Sequence, residues 1–190
     1  ISVPGYIGMI IGTIGLTGLP ISIASYREQG ILSCIRAPPV HPDIILGGQL
    51  IVQFSMAILG AIILFIVGRL LFNLQFPKMP LAVIPAIVVA SISFFSVSFV
   101  LAGLFKSSRT ASAAGMALFF PMLFLSGGSM PREILPESMQ RIGEFLPLTH
   151  VVELIKGLWL GTGWNGTAVL VLIGMFVFGV FVSVRTFQLE

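Results

Sequence analysis

Residues 126–161, SGGSMPREILPESMQRIGEFLPLTHVVELIKGLWLG, decide the fold of this chain. They hold four of its seven acidic residues, Glu133, Glu137, Glu144 and Glu153, while the sequence on either side is apolar over long runs. Leu135, Met139, Ile142 and Leu146 recur at i, i+4, i+7 and i+11, with Glu137, Gln140, Arg141 and Glu144 on the other side. After Pro147 a second apolar face follows, Leu148, Val151, Val152, Ile155, Leu158 and Trp159, opposite His150, Glu153 and Lys156. These periodicities predict two short amphipathic helices split at Pro147. Each is too short to cross a bilayer and each is expected to keep one wet face, which suits helices that lie at the interface or dip partway in.

Working outward, the rest of the chain supplies the bilayer. Hydrophobic residues make up 56% of the 190 positions and charged residues 9%. A soluble domain carries about 25% charged residues, so a chain this apolar has no surface to give to water. Five runs are long enough to span: residues 3–25, 44–71, 81–105, 111–125 and 167–184. The fold class expected is an all-α polytopic membrane protein with five transmembrane helices and a re-entrant helical pair before the last one. The net charge of +3 fits loop bias in a membrane protein, and no basic run marks a nucleic-acid surface. Cys34 is the only cysteine, which excludes an internal disulfide, and nothing beside it would activate the thiol.

The first span is rich in glycine: Gly5, Gly8, Gly12, Gly15 and Gly18. Gly8 and Gly12 allow close helix approach, within the chain or at a subunit interface. Pro20 is expected to kink the span or mark its boundary. Residues 26–43, YREQGILSCIRAPPVHPD, form a polar loop with a short amphipathic helix ended by Pro38, Pro39 and Pro42. His41 has no second ligand near it in sequence. Gln49 and Gln53 either bond across helices or line a polar vestibule. Ser91, Ser93, Ser96 and Ser98 read as packing or back-bonding residues, and Pro121 as a tolerated kink. Trp159 and Trp164 suit an interfacial aromatic belt.

With five spans the chain ends lie on opposite sides. Arg27, Arg36, Lys106, Arg109 and Arg185 fall on one side in short segments, whereas Lys78, Arg132, Arg141 and Lys156 are spread over the other among glutamates. That bias puts the 26–43 loop and the C-terminus in the cytoplasm and residues 126–161 outside. No GxxxxGK[ST] stretch is present, so the chain has no P-loop of its own. No Asp or Glu falls inside a span, which argues against a proton-coupled carrier. No nucleophile or carboxylate constellation supports a membrane-embedded hydrolase.

The run beginning LSGGSMPREILPESMQR strongly resembles the C-terminal signature of ABC-2 type transporter permeases, including the daunorubicin-resistance type. Ser126, Gly127, Pro131, Leu135, Pro136, Pro147, Leu148, Thr149, Leu160 and Gly161 are the matching positions. Tyr26, Arg27, Glu28, Gln29 and Gly30, followed by Pro38-Pro39-Val40, resemble the family's first cytoplasmic loop. The resemblance implies six spans, with an N-terminal helix and the first span lying before Ile1. It implies a multi-pass protein of the plasma or inner membrane that pairs with a second permease copy, identical or paralogous. Cytosolic ATPase subunits would dock on residues 26–43, the coupling loop, with Arg27 and Glu28 as the polar contacts. ATP and magnesium would sit on those subunits, with no cofactor or metal on this chain and no catalysis by it. Residues 126–161 would form an outer gate. The function implied is ATP-driven export of a hydrophobic or amphipathic drug or lipid-like substrate; the alternative is export of a polysaccharide or lipid-linked glycan.

Overall fold

The computed structural model describes residues 3–29, 42–72, 76–105, 107–129 and 134–188. Its described residues form helices and turns. Helix α1 (Val3–Thr13) runs into a π-helical turn (Ile14–Gly18) and on into α2 (Leu19–Glu28), and Val3–Tyr26 of this run makes the first span. Helices α3 (Pro42–Phe72), α4 (Pro80–Leu104) and α5 (Ser108–Leu125) follow. Then come the short α6 (Glu137–Glu144) and α7 (Pro147–Leu160), and finally α8 (Gly166–Gln188). Among the described residues, the first span, α3, α4 and α5 are long and apolar enough to cross a membrane, and α8 is apolar over Gly166–Val182. At 31 residues α3 is about 46 Å long, so it tilts in, or projects from, a hydrocarbon layer of about 30 Å. The all-helical polytopic class expected from the apolar runs is the class observed.

The first span continues as helix through Pro20, and the change from π to α geometry falls just before it, at Leu19. Proline lacks the N–H that would bond the carbonyl four residues back, and its ring crowds that carbonyl. Here the chain widens over Ile14–Gly18, where the N–H of Leu19 bonds the Ile14 carbonyl, and both flanks keep right-handed helical angles. A carbonyl freed by such a turn has no water to bond in a bilayer and costs several kcal/mol if left alone. Ser98 on α4 donates its hydroxyl to the Gly15 carbonyl, as well as to Phe94 on its own helix at 2.8 Å.

The glycines of the first span face neighbouring elements of the same chain. A Cβ on Gly5 would lie 2.6 Å from the Gly128 carbonyl, and one on Gly8 2.8 Å from Val152. One on Gly12 would meet Phe119 and Leu148, and one on Gly15 would lie 3.0 Å from Phe94. Gly8 and Gly12 therefore serve intramolecular packing of α7. The serines of α4 mostly back-bond, Ser93 to Val89 at 2.8 Å and Ser96 to Ser93 at 2.7 Å, while α8 passes close by with Gly179 over Ser96.

Helix α7 buries the expected apolar face and keeps Lys156 exposed and Glu153 half-buried, but His150, expected on the wet face, is buried. At 14 residues it is about 21 Å long, too short to span. Leu148, Val151, Leu154, Ile155 and Leu158 are fully buried, and His150 is only 8% exposed. Its start packs against Gly8, Gly12 and the side of Phe119, and its end reaches Lys78 at Gly161. It is thus wedged among α1, α4 and α8. Helix α6 turns Met139 and Ile142 of its apolar face outward from the protein, and it sits against α5 through Gly143.

Close approach of this kind leaves no room for a methyl group where the facing atom is backbone. A Cβ on Gly115 of α5 would overlap the Leu16 carbonyl, whereas one on Gly174 of α8 meets nothing within 4 Å. Gly115→Ala is expected to destabilise by about 1–3 kcal/mol through overpacking, and Gly174→Ala to be neutral or stabilising. Unfolding in detergent, followed by circular dichroism, measures both.

Candidate functional site

The two stretches singled out for function sit at opposite ends of α5. At one end, Tyr26, Arg27 and Glu28 form the last turn of α2 and Gln29 the residue after it; Gly30 and the rest of the loop up to residue 41, with Cys34 and His41, lie outside the described residues. Tyr26 donates its hydroxyl to the Gln49 side-chain carbonyl at 3.3 Å, tying α2 to α3. Gln29 bonds back to Ser25 through both its backbone N–H and its side-chain amide, each at 3.0 Å.

Glu28 makes the contact that links this end to α5. Its carboxylate accepts the Ser108 hydroxyl at 2.5 Å. Ser107, just ahead, caps the same helix by accepting the Thr110 N–H at 3.3 Å. The Ser108 hydroxyl, the Ser108 backbone N–H, Ser107 and the charge of Arg109 hold the Glu28 carboxyl below its ordinary value of 4.5, against a smaller desolvation effect. The anionic side chain thus lies at the positive end of the α5 dipole. Sequence reading assigned Glu28 to a partner protein and did not anticipate this internal bond, because 80 positions separate it from Ser108.

At the other end the 126–161 residues occupy helix corners. Ser126 caps α5, donating to Leu123 at 3.1 Å and accepting the Gly128 N–H at 3.3 Å. Gly127 takes φ +79°, the left-handed region glycine tolerates. Pro131, with Arg132 and Glu133, lies outside the described residues. Pro136 precedes α6 and its carbonyl accepts from Met139 and Gln140 at 2.9 and 3.0 Å. Pro147 opens α7, where its missing N–H costs nothing. Leu148 is buried against Gly8 and Gly12. Gly161 ends α7 at φ +81°, against the stem of Lys78, whose N–H bonds the Trp159 carbonyl at 3.1 Å.

Thr149 and His150 close the corner between α6 and α7. Thr149 donates its hydroxyl to the Gly143 carbonyl at 2.6 Å, and His150 Nε2 lies 2.9 Å from the Glu144 carbonyl. The first turn of α7 thus bonds two carbonyls at the end of α6, that of Gly143 accepting the Leu146 N–H at 3.0 Å as well. Periodicity placed His150 on a wet face, so this role was missed; its nearness to the helix break was the available signal.

Two apolar cavities, of about 320 and 490 Å³, lie between α3 and α4 and share Val88 as a wall. Among the described residues, neither is lined by the 26–30 residues or by the signature residues named above, and Phe76, Pro77 and Trp159 join side chains of the spans in the wall.

Two measurements check these corners. Glu28 is exposed, so its bond is modest, and its sign is definite. A carboxyl held below its ordinary value contributes stability that is present above that value and disappears as pH falls through the lowered one. The unfolding midpoint of the wild type is expected to exceed that of Glu28→Gln at pH 7 and to meet it once the pH has fallen through the lowered value. At the other corner, Thr149→Val keeps the shape and removes the donor, and is expected to cost about 0.5–1.5 kcal/mol, the net worth of one hydrogen bond, because the Gly143 carbonyl keeps the Leu146 N–H.

Comparison with known proteins identifies the family. The family model described as ABC-2 type transporter matches residues 1–160. A protein of Bacillus subtilis named as a transport permease, YvfS, is 29% identical over 145 residues, 73% of this chain and 58% of that protein. Nodulation protein J of Rhizobium leguminosarum is 36% identical over 78 residues, 41% of this chain and 30% of its own length. A protein of Escherichia coli named as a multidrug ABC transporter permease, YbhR, is 25% identical over 160 residues, 83% of this chain and 43% of that protein. The matched region thus spans between about a third and three-fifths of these relatives' lengths. No solved structure matches the chain significantly. With the family model covering most of its length, the chain belongs to the ABC-2 type transporter family.

Proposed function

We propose that this chain is the membrane permease part of an ATP-driven ABC exporter that moves a hydrophobic or amphipathic substrate, drug or lipid-like, out of the cytoplasm. The observation that carries this reading is the bond between Glu28 and Ser108. It joins the head of the 26–43 loop to the first turn of α5, and α5 ends at the Ser126 corner. A push on the loop therefore has a mechanical route to the helical pair at the far end. In this reading cytosolic ATPase subunits press on residues 26–43 and hold ATP and magnesium themselves. The loop and the C-terminus face the cytoplasm, α6 and α7 form the outer gate, and a second permease copy completes the path. The apolar cavity walls favour a substrate with a hydrocarbon or aromatic body.

The full-length protein, purified from its native membrane, is expected to bring down a separate polypeptide carrying a P-loop. Proteoliposomes of the pair are expected to extrude rhodamine 6G or a fluorescent phospholipid only when ATP and magnesium are supplied, and the two probes separate a drug from a lipid substrate. Glu28→Ala is expected to lower transport while ATP hydrolysis continues. Transport without ATP, by a protein that binds no ATPase, overturns the reading.

A further inference from the structure

We propose that the π turn over Ile14–Gly18 is a joint with two registers, through which α2 turns against α1. This goes beyond the transport reading, and its test reads helix geometry, so either can fail alone.

The registers differ in which carbonyl lacks a helix donor. In an α-helix a carbonyl takes the N–H four residues on, and in a π turn the N–H five residues on. Pro20 has no N–H to give. With the wide turn present, Leu19 serves the Ile14 carbonyl, and Gly15 is the carbonyl that faces Pro20. In the α register Leu19 serves Gly15 instead, and Leu16 faces Pro20. Neighbouring helices provide for both cases. The Ser98 hydroxyl of α4 bonds the Gly15 carbonyl. The Leu16 carbonyl lies against Gly115 of α5, where a Cβ would overlap it, and the Gly115 Cα offers it a weak C–H contact. Ser98 also bonds Phe94 at 2.8 Å, so it keeps a partner when it releases Gly15.

Packing lets one side of the turn move and holds the other. On α1, a Cβ at Gly5 or Gly8 would lie 2.6 or 2.8 Å from its neighbour, so this side is clamped. At Gly18, where α2 begins, the nearest atom is the Gln53 amide at 3.4 Å, an ordinary contact. Thr17 and Ser22 bond back to the carbonyls of Thr13 and Gly18 at 2.6 and 2.9 Å. Back-bonding of this kind loosens a helix, and glycines at positions 15 and 18 weaken it further.

A π turn holds one residue more than an α turn. Passing to the α register therefore turns α2 by about 100° and advances it by about 1.5 Å. Each residue of α2 takes the place of the next. Ala24, fully buried, moves to the half-buried place of Ser25, while Ser22, half-buried, moves into the buried place of Ile23. The same turn carries Glu28 off Ser108, so that bond belongs to the wide register. A rotation thus exchanges two exposures, whereas simple loosening raises both.

That exchange is measurable. Cys34 is the only cysteine, so Cys34→Ser gives a background in which Ser22→Cys or Ala24→Cys is the single thiol. The full-length protein in phosphatidylcholine proteoliposomes is reacted with N-ethylmaleimide and followed by mass. Pro20→Ala with Ser98→Ala removes the ring and the donor that favour the wide turn. In that pair Ala24→Cys is expected to react at least about threefold faster, the order of one net hydrogen bond, and Ser22→Cys to react more slowly. Every other pattern, faster at both or unchanged at either, overturns the joint. Where the pair does not fold, Ser98→Ala alone decides. It is expected to speed Ala24→Cys while Ile11→Cys, on the packed face of α1, stays protected. Labelling at Ile11→Cys, or an unchanged rate at Ala24→Cys, overturns the joint as well.

Discussion

The structure depends on how the first span accommodates Pro20. A proline inside a bilayer helix strips one donor and threatens one carbonyl, and no water is present to make good the loss. The π turn over Ile14–Gly18 relieves the ring, and Ser98 takes up the Gly15 carbonyl. That settlement requires α4 to lie against the first span, and Gly15 permits it by leaving Phe94 just enough room. The same logic continues along the helix. Gly8 and Gly12 admit α7, and the Leu16 carbonyl lies against Gly115 of α5. Lipid tails offer a helix the same apolar contact that leucine does, so small residues and backbone contacts decide which helices associate.

Once the first span is surrounded in this way, α7 can remain short. A helix of about 21 Å buried in a bilayer region would expose four amides at one end and four carbonyls at the other. Pro147 removes one amide, and the left-handed Gly161 turns the chain out at the other end. Thr149 and His150 spend their side chains on the end of α6. The recurrence of Pro, Thr and Gly in the signature thus has a physical basis: these residues finish helix ends where water cannot.

Much of the fold was legible in the sequence. Runs such as residues 44–71 and 81–105 are too apolar for any solvent but lipid, and their observed bounds, Pro42–Phe72 and Pro80–Leu104, differ by a few residues at most. The split at Pro147 was equally plain. What stayed hidden depends on through-space partners. Pro20 announced a disturbance, but whether a helix breaks, bends or widens depends on what lies opposite, here Ser98 and Phe94. Helical spacing identified an apolar stripe on α6, yet a stripe does not say whether protein or lipid covers it, and Met139 and Ile142 face outward. His150 looked wet because it was compared with Glu153 and Lys156 on its own helix, when its partner was the preceding one. For the candidate sites the same limit applies: residues 26–30 and 126–161 stood out by composition, but the bond that joins Glu28 to α5 could not be read from either stretch.

These constraints also explain why functional residues and cavity walls are separate sets. A residue that finishes a helix end must keep its partner, so it is poorly placed to bind a passing molecule. Glu28, Ser126 and Thr149 are committed in this sense. Val88, Phe95 and Phe99 make no such bond through their side chains and are free to present apolar surface to whatever occupies the cavity they line. Polar corners thus fix where the helix ends stand, and apolar side chains wall the space between the helices.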